Sequence, residues 1–424
     1  MVKRDNKILE GYFFTLFSLI PASIILGPAI SLFNILLIDF SFLLLLIFTK
    51  EYKFLSNKTV KIILILYLYL IFNSIVSENF ALGALRNFGF IRFIILFFAF
   101  NYFFYYKNYF NKILIIWSLT LFIVLIDVYI ENFTGENILG YGNLYGNRII
   151  SFFKDEPIVG GYISAFYLIT IGYFFSFNHK FSDNYKHLVL LVSVFFLAAI
   201  FLTGERSNAT KALFGFMLFY FINNHFSIKE KLIAALLVLV LLSYTIYNSN
   251  YLKQRYIHQV VEKISLIYQS GVKKEISNDL QAGTRSIYFE LYRSGFLVFK
   301  DYPFFGAGNK NYRHVACTKN QKPNYVCNTH PHQTYFEFLA EHGLLGTIVL
   351  LFILYNLVFW RLKIILQSKN YIQIGCFIFL SSSFIPFLPS GAFFGDYSFT
   401  IFWINLSLMY SVNKKTNIFL KINS

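Results

Sequence analysis

Residues 30–49 read ISLFNILLIDFSFLLLLIFT, with Asp39 as the one ionisable side chain in the run. A helix of about 20 apolar residues rises about 30 Å, the thickness of a bilayer's hydrocarbon core. Comparable runs recur along most of the chain. Read the same way, they predict spans at 11–27, 30–49, 60–76, 89–106, 113–130, 158–178, 187–203, 209–222, 231–248, 344–366, 372–388 and 397–412. The expected fold is therefore all-α: a polytopic membrane protein with about twelve transmembrane helices. Composition agrees, with 57% hydrophobic and 14% charged residues among 424 and a mean hydropathy of +0.56. The first apolar stretch has no small-residue cleavage site and leads straight into further spans, so it is read as a span and not as a signal peptide. The chain divides into residues 1–248 with helices 1–9, a long loop at 249–343, and residues 344–424 with helices 10–12 and a tail.

Basic residues orient this bundle. With the N-terminus inside, the short inner segments hold 19 of the 37 Lys and Arg, while the short outer loops and their flanks hold only Arg86, Arg92, Arg148, Lys154, Arg206 and Lys211. That asymmetry follows the positive-inside rule, from which long loops such as 249–343 are exempt. Both termini are expected in the cytoplasm and the long loop on the periplasmic side of a bacterial inner membrane. The net charge of +16 is then a topology signal. No basic patch or reading helix marks a nucleic-acid partner. The inner segments carry 17 Lys and 2 Arg, the short outer ones 4 Arg and 2 Lys. Arginine's planar fork suits phosphate and carboxylate, which points to an anionic substrate at the outer face.

Within the long loop, residues 284–300 (TRSIYFELYRSGFLVFK) have helical patterning, with Tyr288, Tyr292, Gly295 and Phe299 on one face, stopped by Asp301-Tyr302-Pro303. Gly306-Ala307-Gly308-Asn309 reads as a turn. Gly283-Thr284-Arg285 opens the helix and offers an arginine beside free N–H groups, an arrangement suited to a diphosphate. Cys317 and Cys327 are expected to form a disulfide in an oxidising compartment, closing a short loop. Their spacing with His330 and His332 fits no common zinc pattern, so neither metal nor other cofactor is expected. The loop ends in Asn328-Thr329-His330-Pro331-His332-Gln333. A helix starting near His332 would carry Glu337 and Glu341 one turn apart. A histidine at a membrane–water boundary is placed to take a proton from a hydroxyl.

His332-Gln333, nine residues, Gly343-Leu344-Leu345-Gly346 satisfies a signature of His, then Asn, Ser or Gln, nine residues, Gly, two residues, and Gly, Thr or Tyr. In this the chain resembles the O-antigen ligase and polymerase superfamily of bacterial inner-membrane glycosyltransferases. Thr203-Gly204-Glu205-Arg206-Ser207 resembles the family's Arg-Ser segment after a span, with Glu205 where many relatives carry Ser. Gly283-Thr284-Arg285 and Lys300-Asp301-Tyr302-Pro303-Phe304-Phe305-Gly306 resemble the Arg and the Pro-x-x-Gly that precede the His motif. Ser151–Glu156 with Gly160-Gly161-Tyr162 resembles a segment of some members. The motifs cover about 145–346, while the first 140 residues match only in hydropathy.

The resemblance implies a reaction. A glycan on undecaprenyl diphosphate is attacked at its anomeric carbon by an acceptor hydroxyl, with inversion, and the lipid diphosphate leaves. Arg206, Arg285 and Arg148 would bind the diphosphate without a metal, and His332 would act as base. His330, Gln333, Glu341, Gly343 and Gly346 would support them. The acceptor is a lipid A–core for a ligase, or another lipid-linked glycan for a polymerase; the His pattern favours the ligase. Membrane lipids are the remaining partners. A transporter or flippase would instead predict charges near the midplane on broken helices, whereas here the ionisable residues gather at the outer edge. A structural scaffold would not need the Arg and His constellation.

Overall fold

The computed structural model describes residues 7–142, 147–154, 156–177, 183–259, 261, 287–318, 322 and 324–420. Every regular element among them is helical. In chain order these are α1 (Lys7–Ser18), α2 (Ile20–Leu26), α3 (Pro28–Thr49), α4 (Lys58–Ile75), α5 (Phe80–Gly89), α6 (Ile91–Tyr106), α7 (Ile113–Thr134), α8 (Val159–Phe177), α9 (Asp183–Leu202), α10 (Arg206–Ile222), α11 (Ile228–Asn248), α12 (Asn250–Lys253), α13 (Ile287–Asp301), α14 (Tyr312–Ala316), α15 (Thr334–Phe359), α16 (Leu362–Ser368), α17 (Tyr371–Ser382) and α18 (Asp396–Ser411). Eight stretches among the described residues are long and apolar enough to cross a membrane; α1 and α2, bent by 46°, make a ninth if they count as one span. The chain is a multi-pass membrane protein.

Three expected spans differ in the structure. The run at 209–222 belongs to the 17-residue α10, that at 397–412 is the 16-residue α18, and 372–388 is helical only through Ser382. Two of the three, α17 and α18, are wrapped by neighbours, whereas α10 keeps an exposed face at Thr210, Phe214 and Phe221. Nearly all of α17 and α18 is buried, so neither needs a lipid-facing surface of full length. Pro386 and Pro389 lack the N–H that would continue α17.

Helices in lipid gain little from burying apolar surface and associate by close packing, for which small residues matter. The α8–α17 contact shows this. A Cβ on Gly172 would lie 2.4 Å from the Tyr371 carbonyl oxygen, and one on Gly375 2.5 Å from that of Leu168. Replacing either glycine would push the two backbones apart.

The turn before α14 is held to α4 and α5 through side-chain amides. Asn73 of α4 accepts from the Asn309 N–H (2.8 Å) and donates to the Glu341 carbonyl (3.2 Å). Asn87 of α5 accepts from the Asn309 side chain (2.6 Å). Such bonds satisfy polar groups that are buried away from water.

Candidate active site

The helix carrying the His motif is broken. Gly343 has φ +64° and ψ −170° inside α15, and the amides freed by the break bond elsewhere. Leu344 N–H donates to the Pro303 carbonyl (2.7 Å) and Leu345 N–H to that of Phe304 (3.1 Å). On the other side, Ala307 N–H donates to Ala340 (2.9 Å) and Gly308 N–H to Glu341 (2.9 Å). The Pro-x-x-Gly turn at 303–306 thus plugs the break. This docking needs Gly343, where a Cβ would lie 2.4 Å from the Phe304 carbonyl carbon; Gly346 instead makes room for Tyr69 of α4, whose hydroxyl would lie 2.1 Å from a Cβ there. At the start of α15, the Gln333 side chain accepts from Tyr335 N–H (2.8 Å) and Phe336 N–H (3.0 Å). A side-chain acceptor there satisfies amides left free at the helix start, a role that Asn, Ser and Gln can each fill. Glu341 is an anchor: it is buried and accepts from Tyr312 N–H (3.1 Å) at the start of α14. Glu337, one turn earlier, accepts from Phe393 N–H (2.9 Å).

His330 and His332 flank Pro331 in the turn before α15. Ser390 grips both: its N–H donates to the His332 carbonyl (2.9 Å), and its carbonyl lies 3.2 Å from His330 Nε2. The other ring nitrogen of His330 meets Thr329 Oγ1 at 2.9 Å. The His330 ring is therefore committed at both nitrogens. Burial, then the neighbouring His332, push its pKa down to about 4, against the Ser390 carbonyl, which raises it. The His332 ring lies 4.0 Å from that of His330 and 6.0 Å from that of Tyr288. No described residue hydrogen-bonds it, and burial lowers its pKa too. His332 takes φ +57°, a left-handed conformation uncommon outside glycine.

The arginines arrive from separate elements. Glu131 of α7 accepts from Ile150 N–H (3.0 Å) and Ser151 N–H (2.6 Å), and Asp127 from the Ser151 hydroxyl (2.5 Å). These bonds pin the segment that follows Arg148. Glu205, between α9 and α10, points its carboxylate at the N-terminus of α8 and accepts from Gly160 N–H (2.7 Å), Gly161 N–H (3.1 Å) and the Asn208 amide (2.6 Å). Burial raises its pKa; the Asn208 and Gly160 donors, Arg148 and the Gly161 donor hold it down. Arg206 opens α10. It donates to the Arg255 carbonyl (3.2 Å), and Arg255 donates to the Gly204 carbonyl (3.0 Å).

A cavity of about 640 Å³ collects these parts. Its lining includes Arg148, Glu205, Arg206, Lys211, Arg255 and His332. Three of the residues singled out from sequence, Arg148, Arg206 and His332, thus face one space. Arg285 and the helix start at 283–286 lie outside the described residues. His330, Gln333, Glu341, Gly343 and Gly346 do not line this cavity. Cys317 and Cys327 are joined by a disulfide, with Cα atoms 4.6 Å apart, ahead of the His turn. Among the described residues no group of three or more His, Cys, Asp or Glu is arranged to hold a metal. Sequence reading passed over Arg255 and gave Lys211 no role in the site. Nothing near Arg255 follows a motif; the usable signal was an arginine just after a span, where a lysine-rich composition would favour Lys.

A bundle of apolar helices with a cationic, histidine-bearing cavity defines a class: multi-pass membrane proteins with a polar cavity among their helices. Residues 191–351 match the family model described as O-antigen ligase. The match runs from α9 through the break at Gly343 and bears out the resemblance to the O-antigen ligase and polymerase superfamily, whose members are membrane glycosyltransferase-like enzymes. No curated protein matches the chain.

Proposed function

We propose that the protein is an O-antigen ligase that moves a glycan from undecaprenyl diphosphate to a hydroxyl of a lipid A–core acceptor. The observation that carries this reading is the shared cavity of Arg148, Arg206 and His332. The arginines hold the diphosphate, joined by Arg285, and neutralise charge on the leaving group. His332, neutral near pH 7 because burial lowers its pKa, takes the proton of the acceptor hydroxyl. The oxygen attacks the anomeric carbon in line, the bond to the phosphate oxygen breaks with its electron pair, and the configuration inverts. No metal is needed in this scheme. In this reading the shorter helices α10, α17 and α18 also cross the bilayer, giving about twelve spans; both termini are cytoplasmic and the cavity faces the periplasm of the inner membrane. The reading divides the chain at 248 and 343, with the catalytic loop between two sets of spans.

A polymerase differs only in the acceptor. Purified protein supplied with the lipid-linked glycan donor and, separately, lipid A–core or a second lipid-linked glycan tests both. Transfer to lipid A–core supports the ligase; transfer only to the second glycan replaces it with the polymerase. No transfer to either, from a donor shown to bind, removes the glycosyl-transfer reading. Arg206→Lys and Arg285→Lys keep the charge but lose the two-pronged fork, and should both impair transfer.

A further inference from the structure

Residues 254–258 depart from the α-helix that precedes them and form a single π-helical turn (Gln254–His258). Such turns are rare and recur at functional sites, because they re-aim side chains that a regular helix would point elsewhere. Here the turn brings Arg255 over the strained corner between α9 and α10. Gly204 at that corner has φ +71°, and a Cβ on it would lie 2.6 Å from the Tyr251 hydroxyl, so the approach depends on a bare backbone. Arg206 and Arg255 are interlocked there, each donating to backbone beside the other. That arrangement holds two guanidinium groups close together against their repulsion.

The charge count is lopsided. Arg148, Arg206, Lys211 and Arg255 line the cavity against one carboxylate, Glu205, and that carboxylate is already used by two amides and Asn208. Among the described residues no acid forms an ion pair with any of the four. The Nε atoms of Arg148 and Arg255 and the Tyr251 hydroxyl are buried without a hydrogen-bond partner, which is costly for donors unless an acceptor enters. A diphosphate ester bound to a glycan carries two negative charges. When the bond from the anomeric carbon to the phosphate oxygen breaks, its electron pair stays on that oxygen and the leaving lipid diphosphate reaches three. The described cations already exceed what the donor needs.

We propose that Arg255 is an additional anion-binding residue of this site, and that through it the cavity is matched to the trianionic diphosphate that leaves more closely than to the dianionic donor that enters. The proposal rests on the diphosphate reading above. It makes Arg255 a residue whose contact strengthens as the reaction proceeds, which is the condition for accelerating the step rather than merely tightening binding.

The test uses full-length protein in detergent, a lipid-diphosphate-linked glycan as donor, and inorganic pyrophosphate as a competing probe. Arg255→Gln should raise the pyrophosphate inhibition constant about 10–100-fold, the loss expected from one charged hydrogen bond. It should lower kcat while changing the donor KM far less. Arg255→Lys should fall between, and carries the same comparison if the Gln variant does not fold. Equal losses for donor and pyrophosphate would overturn the preference for the trianion. No loss for either would reduce Arg255 to a strut for Gly204. If pyrophosphate fails to compete in the unaltered protein, and the Lys variants of Arg206 and Arg285 transfer normally, the diphosphate reading itself falls.

Discussion

Gly295 of α13 lies directly against Pro331, the residue between the two histidines: a Cβ at Gly295 would sit 2.9 Å from both Cβ and Cγ of the proline ring. The helix of the long loop is thereby the floor of the His-Pro-His turn, and Tyr292 extends it by stacking on Phe336 at 5.3 Å. Gly295→Ala should displace the turn by a few tenths of an ångström or more. The expected result is a folded protein with transfer reduced by up to about 10²-fold, since small misplacements of a catalytic group are costly. Turnover beside thermal unfolding checks it. Normal turnover would show that the turn tolerates the shift.

His332→Ala should cut turnover by about 10²–10⁴-fold, the usual loss for a general base, with donor binding nearly intact because the base serves the acceptor. His330→Ala should reduce stability more than it affects chemistry, as both His330 ring nitrogens are engaged, one by Thr329 and one by the Ser390 carbonyl. A retained rate for His332→Ala alongside an inactive His330→Ala would reverse the assignment.

The pH dependence follows from the same two rings. Because burial lowers the His332 pKa from 6.5, the base stays neutral on moderate acidification, and kcat/KM should begin to fall only below about pH 6.5. His330 is lowered from 6.5 to about 4, so the unfolded chain binds its proton first. Its contribution to stability is fully present above 6.5 and is lost as pH falls toward 4, by up to roughly 3 kcal/mol. Unfolding measured between pH 7 and pH 4 should show that loss, and His330→Gln should flatten it.

The disulfide between Cys317 and Cys327 should be present in membrane-extracted protein. Mass spectrometry without reduction should find the two thiols joined. Reduction, or Cys317→Ser, should destabilise the loop by about 2–3 kcal/mol in the chain-entropy account. Two free thiols in native protein would refute the expectation.

Topology has a direct test. Lys300 is exposed at the end of α13. Lys300→Cys should react with an impermeant thiol reagent in whole cells, the native cysteines being either paired or buried. Protection at that position, with labelling of a cysteine placed before α1, would invert the bundle.

Much of this molecule was legible as one-dimensional pattern. Apolar runs such as 30–49 read as spans because lipid demands a helix with every backbone group satisfied internally. The spacing from His332 to Gly346 was also readable, since each position answers a local demand: an acceptor at Gln333 to cap α15, and at Gly343 a backbone that can leave the helix. The disulfide partners were legible because only two cysteines share the long loop.

Tertiary structure decided the rest. Whether Arg148, Arg206 and His332 face one space depends on bonds such as those of Glu131 to Ser151, Glu205 to Gly160 and Ser207 to Pro389, the last across 182 positions, which leave no periodic trace. Glu205 became a cap for α8 through Gly160 and Gly161, a role that its place in the chain did not reveal. Arg255 lines the cavity from the π-turn at Gln254–His258, a conformation that no sequence pattern announced. Chain pattern records what each helix requires of its surroundings, namely lipid on one face and neighbours on another. It does not record which charged groups those neighbours bring, because a site assembled from loop ends is held by hydrogen bonds between distant residues.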